Sequence, residues 1–403
     1  MNVSDGAHLT YCTNIHPGES WEEVFESLKV HAVEIKKRMV GADPFGIGLR
    51  LSRKSAATLL EDNRLVEFKQ WLLDNNLYVF TMNGFPYGDF HDAVVKDKVH
   101  SPDWRSRKRV SYTKDLFKIL SYLLPDGMEG GISTSPLSYR LWFPKGEGVE
   151  EVKKKCTSSL MKIVVQLFKI EKETGKFLHL DLEPEPYGFL ENTEDVIQFF
   201  EDYLFKEGVE ELMDPLRCSK AKAKATILRY IQVCYDVCHF SLAYENTKDV
   251  VEKFEQKGIK IGKIQISAAL KCVFESEKLL KEQQACLRKF DEPNYLHQAI
   301  VKWQSGEFSH YSDLSEGIDA MNDLDFKELR THFHVPVFVE SYEVLQSTQD
   351  DIIAALDYWK EFKYSKHLEV ETYTWSILPE ALQADLTSSV VRELEWVRQE
   401  LEK

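Results

Sequence analysis

The chain predicts an α/β fold of the (β/α)8 barrel type. Short runs of strand character recur eight times, and helical patterns separate nearly all of them, which is the signature of a parallel sheet. No glycine-rich phosphate fingerprint follows any of these runs, and this weakens the alternative of an open doubly wound sheet. With 403 residues, 43% hydrophobic and 29% charged, there is material for one large core, and the expectation is one barrel domain over 1–403.

The first strand, 8–13, runs into Asn14-Ile15-His16-Pro17-Gly18. Ser20 and Glu23 then stand at capping-box spacing, and Trp21, Val24, Leu28, Ala32, Ile35 and Met39 form an apolar stripe at helical spacing. The second strand, 45–51, carries Gly46 and Gly48, where a neighbour can come close. A helical stretch through Leu59, Leu65, Phe68 and Leu72 leads to the third strand, 78–82. That strand opens into Asn83-Gly84-Phe85-Pro86-Tyr87-Gly88, and the loop continues past His91 to Pro102-Asp103-Trp104-Arg105. A loop so long and so aromatic reads as a lid or pocket wall.

A helix over 116–124 precedes the short fourth strand, 131–136, and a long amphipathic helix carries Val152, Cys156, Leu160, Ile163, Leu167 and Ile170. In the fifth strand, 177–183, leucines alternate with His179, Asp181 and Glu183, so the polar three share a face. The sixth, 230–236, ends in Asp236, and His239 follows three residues later. In the seventh, 261–267, Lys263, Gln265 and Ser267 alternate with Ile264 and Ile266. An enlarged excursion separates the seventh and eighth strands, and its stretch 270–329 has no usable repeat and is expected as an irregular insertion. The segment 331–338 is extended, with His332 and His334 on one face; a helix over 352–362, the last strand, 367–375, and a charged C-terminal helix, 385–403, complete the chain.

The net charge of −15 argues against broad nucleic-acid binding, which needs cationic surface. No apolar run is long enough to span a bilayer and the first residues lack a signal pattern, so a cytoplasmic enzyme or binding protein is expected, with no membrane insertion. Seven scattered cysteines read as reduced thiols.

Barrel chemistry gathers at the ends of strands. Glu183, Asp236, Gln265 and Glu371 stand at four such ends, an oxygen-rich set suited to Mn²⁺ or Mg²⁺. His239, His332 and His334 add imidazoles, which favour Zn²⁺, Fe²⁺ or Ni²⁺. Each has a plainer reading as well: Asp236 capping the next helix, each histidine satisfied by backbone. The seven together make a candidate site for a divalent metal.

Cys234-Tyr235-Asp236-Val237-Cys238-His239 resembles the Asp-x-x-His segment of the xylose isomerase-like TIM-barrel superfamily, which holds sugar-phosphate isomerases, ketose 3-epimerases and the endonuclease IV group. Glu183 and Glu371-Thr372 match its fifth and eighth strands, and His332-x-His334 is similar to the Asp-x-His segment of the endonuclease group. Longer segments, Tyr11-Cys12-Thr13-Asn14-Ile15-His16-Pro17-Gly18-Glu19, Pro102-Asp103-Trp104-Arg105, Thr331-His332-Phe333-His334-Val335-Pro336 and Glu369-Val370-Glu371-Thr372-Tyr373-Thr374-Trp375, resemble the EboE "metabolite traffic" proteins. The chain departs from the superfamily in having Gln265 where the seventh strand carries His, and Asn83 and Ser135 where the endonuclease group has His. A phosphodiesterase or AP-endonuclease-like site is therefore the least favoured reading.

The resemblance implies a metal-dependent sugar isomerase or epimerase acting on a small hydroxy-carbonyl metabolite, associated with secondary-metabolite precursor traffic and with protein partners from that pathway. Glu183 and Glu371 would move protons, His239 would orient or polarise the substrate, and the ion would be Mn, Mg or Zn. His16, Asn83, Tyr87, His91, Trp104, Arg105 and Ser135 would bind substrate at the mouth. A non-catalytic metabolite-binding or scaffold protein of the same pathway is the alternative.

Overall fold

The structure, a computed structural model, describes the chain except residues 5, 89–94, 294, 373, 376–377 and 379–384. Eight parallel strands form its centre: β2 (Ala7–Tyr11), β3 (Phe45–Arg50), β4 (Leu77–Asn83), β5 (Gly130–Thr134), β6 (Leu178–Leu182), β7 (Ile231–Asp236), β8 (Ile261–Ile266) and β15 (His367–Val370). A short β1 (Asn2–Ser4) adds to the edge of β2, giving the order β1-β2-β15-β8-β7-β6-β5-β4-β3. The ends of this sheet meet, so it is a nearly closed barrel. Cys12 bridges to Gly48, and hydroxyls replace the missing ladder: Thr10 Oγ1 donates to the Gly46 carbonyl at 2.7 Å, and Thr13 Oγ1 accepts from the Arg50 amide at 2.9 Å.

Local chemistry builds these elements as expected. Ser20 Oγ accepts from the Glu23 amide at 3.3 Å and the Glu23 carboxylate accepts from the Ser20 amide at 2.9 Å, so the capping box starts the helix Trp21–Ser27. Gly48 is required because a Cβ there would collide with the Glu369 carboxylate inside the barrel. Helices such as Arg107–Leu123 and Val149–Thr174 bury one apolar face against the strands. Among the described residues no helix is long and apolar enough to cross a membrane.

The stretch expected to be irregular is a second sheet. Residues 268–347 form six antiparallel strands in the order β11-β10-β12-β9-β14-β13: β9 (Ala268–Val273), β10 (Ala299–Trp303), β11 (Phe308–Tyr311), β12 (Phe326–Val335), β13 (Ser341–Tyr342) and β14 (Leu345–Ser347). Its strands are short, partly exposed and interrupted by bulges, which erase the two-residue period by which a strand is recognised. One bulge matters for the site. Thr331 pairs with Leu270 and Val335 with Ala268, so β12 holds extra residues just where His332 and His334 lie. A bulge bends its strand and re-aims side chains, and here both histidines are buried against the end of the barrel.

Candidate metal centre

The inside of the barrel is polar from floor to rim. Along β6 the inward residues are His179, Asp181 and then Glu183; along β15 they are His367, Glu369 and then Glu371. The middle layer is closed by Lys263, whose Nζ meets Glu369 Oε2 at 2.7 Å and the Met82 carbonyl at 3.1 Å with both side chains fully buried. Burial works against the Lys263 charge, but Glu369, Cys234 and Cys12 together outweigh it and the ammonium titrates above its ordinary range.

At the rim, Glu183, Asp236 and Glu371 bring carboxylate oxygens within 4.8 Å of one another, and Asp236, His239 and His334 form an overlapping group at the same spacing. Asp236 is common to both. It does cap the next helix, since Oδ1 accepts from the His239 amide at 3.2 Å and from Ser267 Oγ at 2.6 Å. That leaves Oδ2 buried with no hydrogen-bond donor. The structural and chemical readings of this residue hold together, one oxygen each.

Each histidine turns Nδ1 to an oxygen acceptor. Nδ1 of His239 lies 2.8 Å from the Pro184 carbonyl, Nδ1 of His334 lies 2.7 Å from the Glu371 carbonyl, and Nδ1 of His332 lies 2.9 Å from Gln298 Oε1. The Gln298 amide is oriented by its own bond to the Pro186 carbonyl, 3.2 Å away. Oxygens of this kind only accept, so all three Nδ1 atoms carry a proton, and in each neutral ring Nε2 carries the lone pair. The Nε2 atoms of His239 and His332 are 3.1 Å apart. Two lone pairs at that distance repel, and a cation held by both removes the conflict. Burial, with the neighbouring imidazoles, keeps His332 well below its usual pKa; burial brings His334 down to about 4. Both rings are therefore neutral at pH 7 and ready to ligate.

The carboxylates make the same demand. Burial, followed by Glu371, Asp236 and Glu185, pushes the Glu183 carboxyl well above its ordinary range; burial, Asp236 and Glu369 do so for Glu371. Yet Glu371 sits in a cage of amides. Asn14 Nδ2 and Asn83 Nδ2 each donate to Oε1 at 2.8 Å, and Gln265 Nε2 donates to Oε2 at 2.7 Å. These groups suit an ionised carboxylate, and a divalent cation would supply the missing positive charge. The donor set fits a metal.

Gln265 is placed differently from the expectation that it ligates. Its amide nitrogen must face the Glu371 acceptor and its oxygen accepts from Cys234 Sγ at 2.8 Å, so the side chain is consumed in orienting Glu371.

Glu183, His239, His332, His334 and Glu371 line a cleft with about 540 Å³ of empty space, part of it open to solvent, and Asp236 and Gln265 lie outside its lining. Phe85, Pro86, Val95, Lys96 and Val99 supply its wall, from the loop after β4. Of the seven residues expected at the mouth, the cleft includes Asn83. His16 is buried nearby, with Nε2 2.9 Å from the Tyr11 hydroxyl and its ring stacked on His31. Tyr87 packs on Tyr112, Ser135 is buried, and Trp104 is fully buried in the core. Arg105 turns to Asp103, 2.7 Å away, and lies over the Phe143 ring. None of these five lines the cleft, Trp104 filling the core and the exposed Arg105 turning to Asp103; His91 lies outside the described residues. Sequence reasoning missed Asn14, Glu185, Lys96, Tyr295 and Leu296, which do. The acid pair Glu183-Pro184-Glu185 at a strand end was the available signal for Glu185. Burial and then Asp236 push Glu185 up to about 8.

No family model matches the chain, and no curated protein matches it in sequence. Solved structures do match in shape. A xylose isomerase-like TIM barrel protein from Mycobacterium smegmatis in complex with magnesium superposes with a TM-score of 0.51 at 11% identity, covering 100% of this chain and 98% of that one. The IOLI protein with a binding zinc atom gives 0.46 at 12% identity, covering 98% of each chain. A xylose isomerase domain protein from Planctomyces limnophilus gives 0.46 at 10% identity, covering 92% of each. At such identities the likeness is one of fold: the chain has the TIM-barrel fold, similar to that of a xylose isomerase-like protein.

Proposed function

We propose that this chain is a metal-dependent isomerase or epimerase of a small hydroxy-carbonyl metabolite. The observation that carries the reading is the convergence of His239, His332, His334, Glu183 and Glu371 on one cleft, with the buried Asp236 carboxylate within 4.8 Å of the two acids. Glu183, Asp236 and Glu371 would form an oxygen-rich cradle, and Asp236, His239 and His334 a nitrogen-rich one, with His332 beside His239. A divalent cation there polarises carbonyl and hydroxyl oxygens and acidifies the C–H between them.

The chain's own groups divide the remaining work. Glu371, held by three amides, serves as an anchor rather than a mobile base. Glu183 has one buried oxygen, Oε2, without a hydrogen-bond partner, which leaves it available to remove a substrate proton. Glu185, which burial and then Asp236 push up to about 8, lines the same cleft, so it is placed to return one. The apolar wall of Phe85, Pro86, Val95 and Val99 excludes water around the reacting carbon. A place in metabolite traffic rests on the segment resemblance to EboE proteins alone.

Two measurements test this. Purified wild type should hold stoichiometric metal by elemental mass spectrometry, and Asp236→Ala or His334→Ala should lose it. With hydroxy-carbonyl sugars in D₂O, the metal-loaded wild type should wash deuterium into one C–H position, and Glu183→Gln should slow this at least a thousandfold. A folded wild type that takes up no metal defeats the proposal; metal uptake without exchange on any substrate leaves a metabolite-binding protein in its place.

A further inference from the structure

The opposite end of the barrel, where the strands begin, holds a second convergence that this chemistry leaves unused. Glu129, His179 and His367 each bring one ligand atom within 4.8 Å of the others. Glu129 precedes β5 by one residue, His179 is the second residue of β6, and His367 is the first of β15. The buried Lys263–Glu369 layer lies between this group and the rim.

The two imidazoles are prepared in a particular way. His179 Nδ1 lies 2.6 Å from Asp181 Oδ1. A carboxylate on one ring nitrogen fixes the tautomer and leaves Nε2 basic, the arrangement that supports metal-bound histidines. His367 Nε2 lies 3.2 Å from the Glu129 carbonyl, which can only accept, so its lone pair is on Nδ1. That nitrogen is fully buried and has no hydrogen-bond partner. The two rings stand 5.2 Å apart. Space for them has been kept by removing Cβ atoms: a side chain at Gly131 or Gly262 would collide with His179 and Asp181. Burial, then the neighbouring His179 and Lys263, hold His367 far below its ordinary pKa, so the ring is neutral.

Solvent reaches this group at Glu129, while His179 and His367 are buried. Glu129 lines a cavity at this end of the barrel, with about 1260 Å³ of empty space including its open mouth, together with Phe177, Gly262, Ser365 and Lys366. The exposed Lys366 ammonium is 3.3 Å from Glu129 Oε2 and competes for that carboxylate.

We propose that Glu129, His179 and His367 form a second metal site, at the N-terminal end of the barrel, selective for zinc-class transition cations over Mg²⁺. Two neutral imidazoles and one carboxylate give that selectivity, because magnesium prefers oxygen ligands and gives up its water reluctantly. Tetrahedral zinc, with bonds of about 2.0–2.1 Å, holds its ligand atoms about 3.3 Å apart, so the three side chains close by small movements. The partly exposed Glu129 is the last ligand to engage.

Zinc binding to the full-length protein tests the site, by equilibrium dialysis with elemental analysis and by visible absorption on Co²⁺ substitution. The Asp236→Ala/His334→Ala variant, which disables the rim, should still take up one zinc. Glu129→Gln, in that background and in wild type, should weaken this equivalent at least tenfold, and His367→Gln should abolish it. Lys366→Met should tighten it several-fold. Magnesium at millimolar concentration should not displace it. Glu129→Gln and Lys366→Met lie at the cavity and should leave folding intact, so they decide the matter if the His367 variant does not fold. Zinc uptake by these two equal to wild type, or no equivalent beyond the rim site in wild type, overturns the proposal.

Discussion

Glu371 accepts three amide hydrogens while neighbouring carboxylates and burial press it towards neutrality. Those amides hold the carboxylate's orientation when a cation is bound, and removing one should be felt as lost affinity. Groups that orient a metal ligand typically contribute 10–100-fold to metal binding. Asn83→Ala should therefore weaken metal binding at the rim about tenfold by titration, with an unchanged far-ultraviolet spectrum. Asn14→Ala should do much the same, because both donate to the same oxygen. Residues of this kind mark where sequence reading stopped. Glu183, Asp236, His239, His332, His334 and Glu371 stood out because acids and histidines are unusual at the inner ends of apolar strands, and the structure brings all but Asp236 to one cleft, with Asp236 within 4.8 Å of four of them. Asn14 gave no such signal, since an asparagine after a strand looks like any turn residue. Trp104 and Arg105 gave a misleading one: an aromatic and a cation beside each other in a long loop suggest a binding surface, but Trp104 fills the core and Arg105 pairs with Asp103.

At the scale of elements, the barrel strands were legible because their apolar runs are bounded by turns and separated by strong helical stripes. The second sheet was not, because its bulged, half-exposed strands have no stable period. Its bulge nevertheless completes the rim by delivering His332 and His334 to the ends of β7 and β15. What holds that delivery in place is the C-terminal helix Leu386–Glu402. Its buried Glu393 accepts from the Val337 amide at 3.1 Å and from Thr372 Oγ1 at 2.6 Å. Val337 lies three residues beyond His334, and Thr372 directly follows Glu371, so one carboxyl ties both metal-bearing segments to one helix. Leaving those donors buried and unsatisfied costs about 1–3 kcal/mol each. Glu393→Leu should lower unfolding stability by roughly 2–4 kcal/mol in denaturant titrations and also weaken metal binding at the rim. Loss of stability with unaltered metal affinity would mean that the helix packs on the barrel without positioning the site.

Over the whole molecule, the polar column inside the barrel sets how stability depends on pH. Glu183 and Glu371 are pushed well above the carboxyl range, Glu185 to about 8 and Glu393 to about 7, in each case chiefly by burial. A carboxyl whose pKa is higher folded than unfolded binds more protons in the folded state. Its stabilisation is complete below about pH 4.3 and is lost as pH rises through the folded value. The buried imidazoles slope the other way: His334, at about 4, and His332 and His367, well below their usual value, contribute fully above about pH 6.5 and lose that contribution as pH falls. In chelator the two slopes oppose each other below about pH 6.5; above it the imidazoles no longer contribute a slope, and the carboxyls outweigh the buried Met1 ammonium, which burial lowers to about 5. At roughly 1.4 kcal/mol per pH unit, Glu185 by itself removes roughly 2 kcal/mol between pH 6.5 and 8. Thermal unfolding in chelator should accordingly show Tm falling from pH 6.5 to 8.5, and Glu185→Gln should flatten the part below pH 8. Saturating divalent metal should abolish most of the remaining fall, because the ionised Glu183 and Glu371 are then the forms that the cation holds, and binding should release protons measurable by buffer-dependent calorimetry. A Tm that instead rises with pH in chelator would mean that these carboxyls are ionised without a metal, and the electrostatic case for a cation at the rim would fall with it.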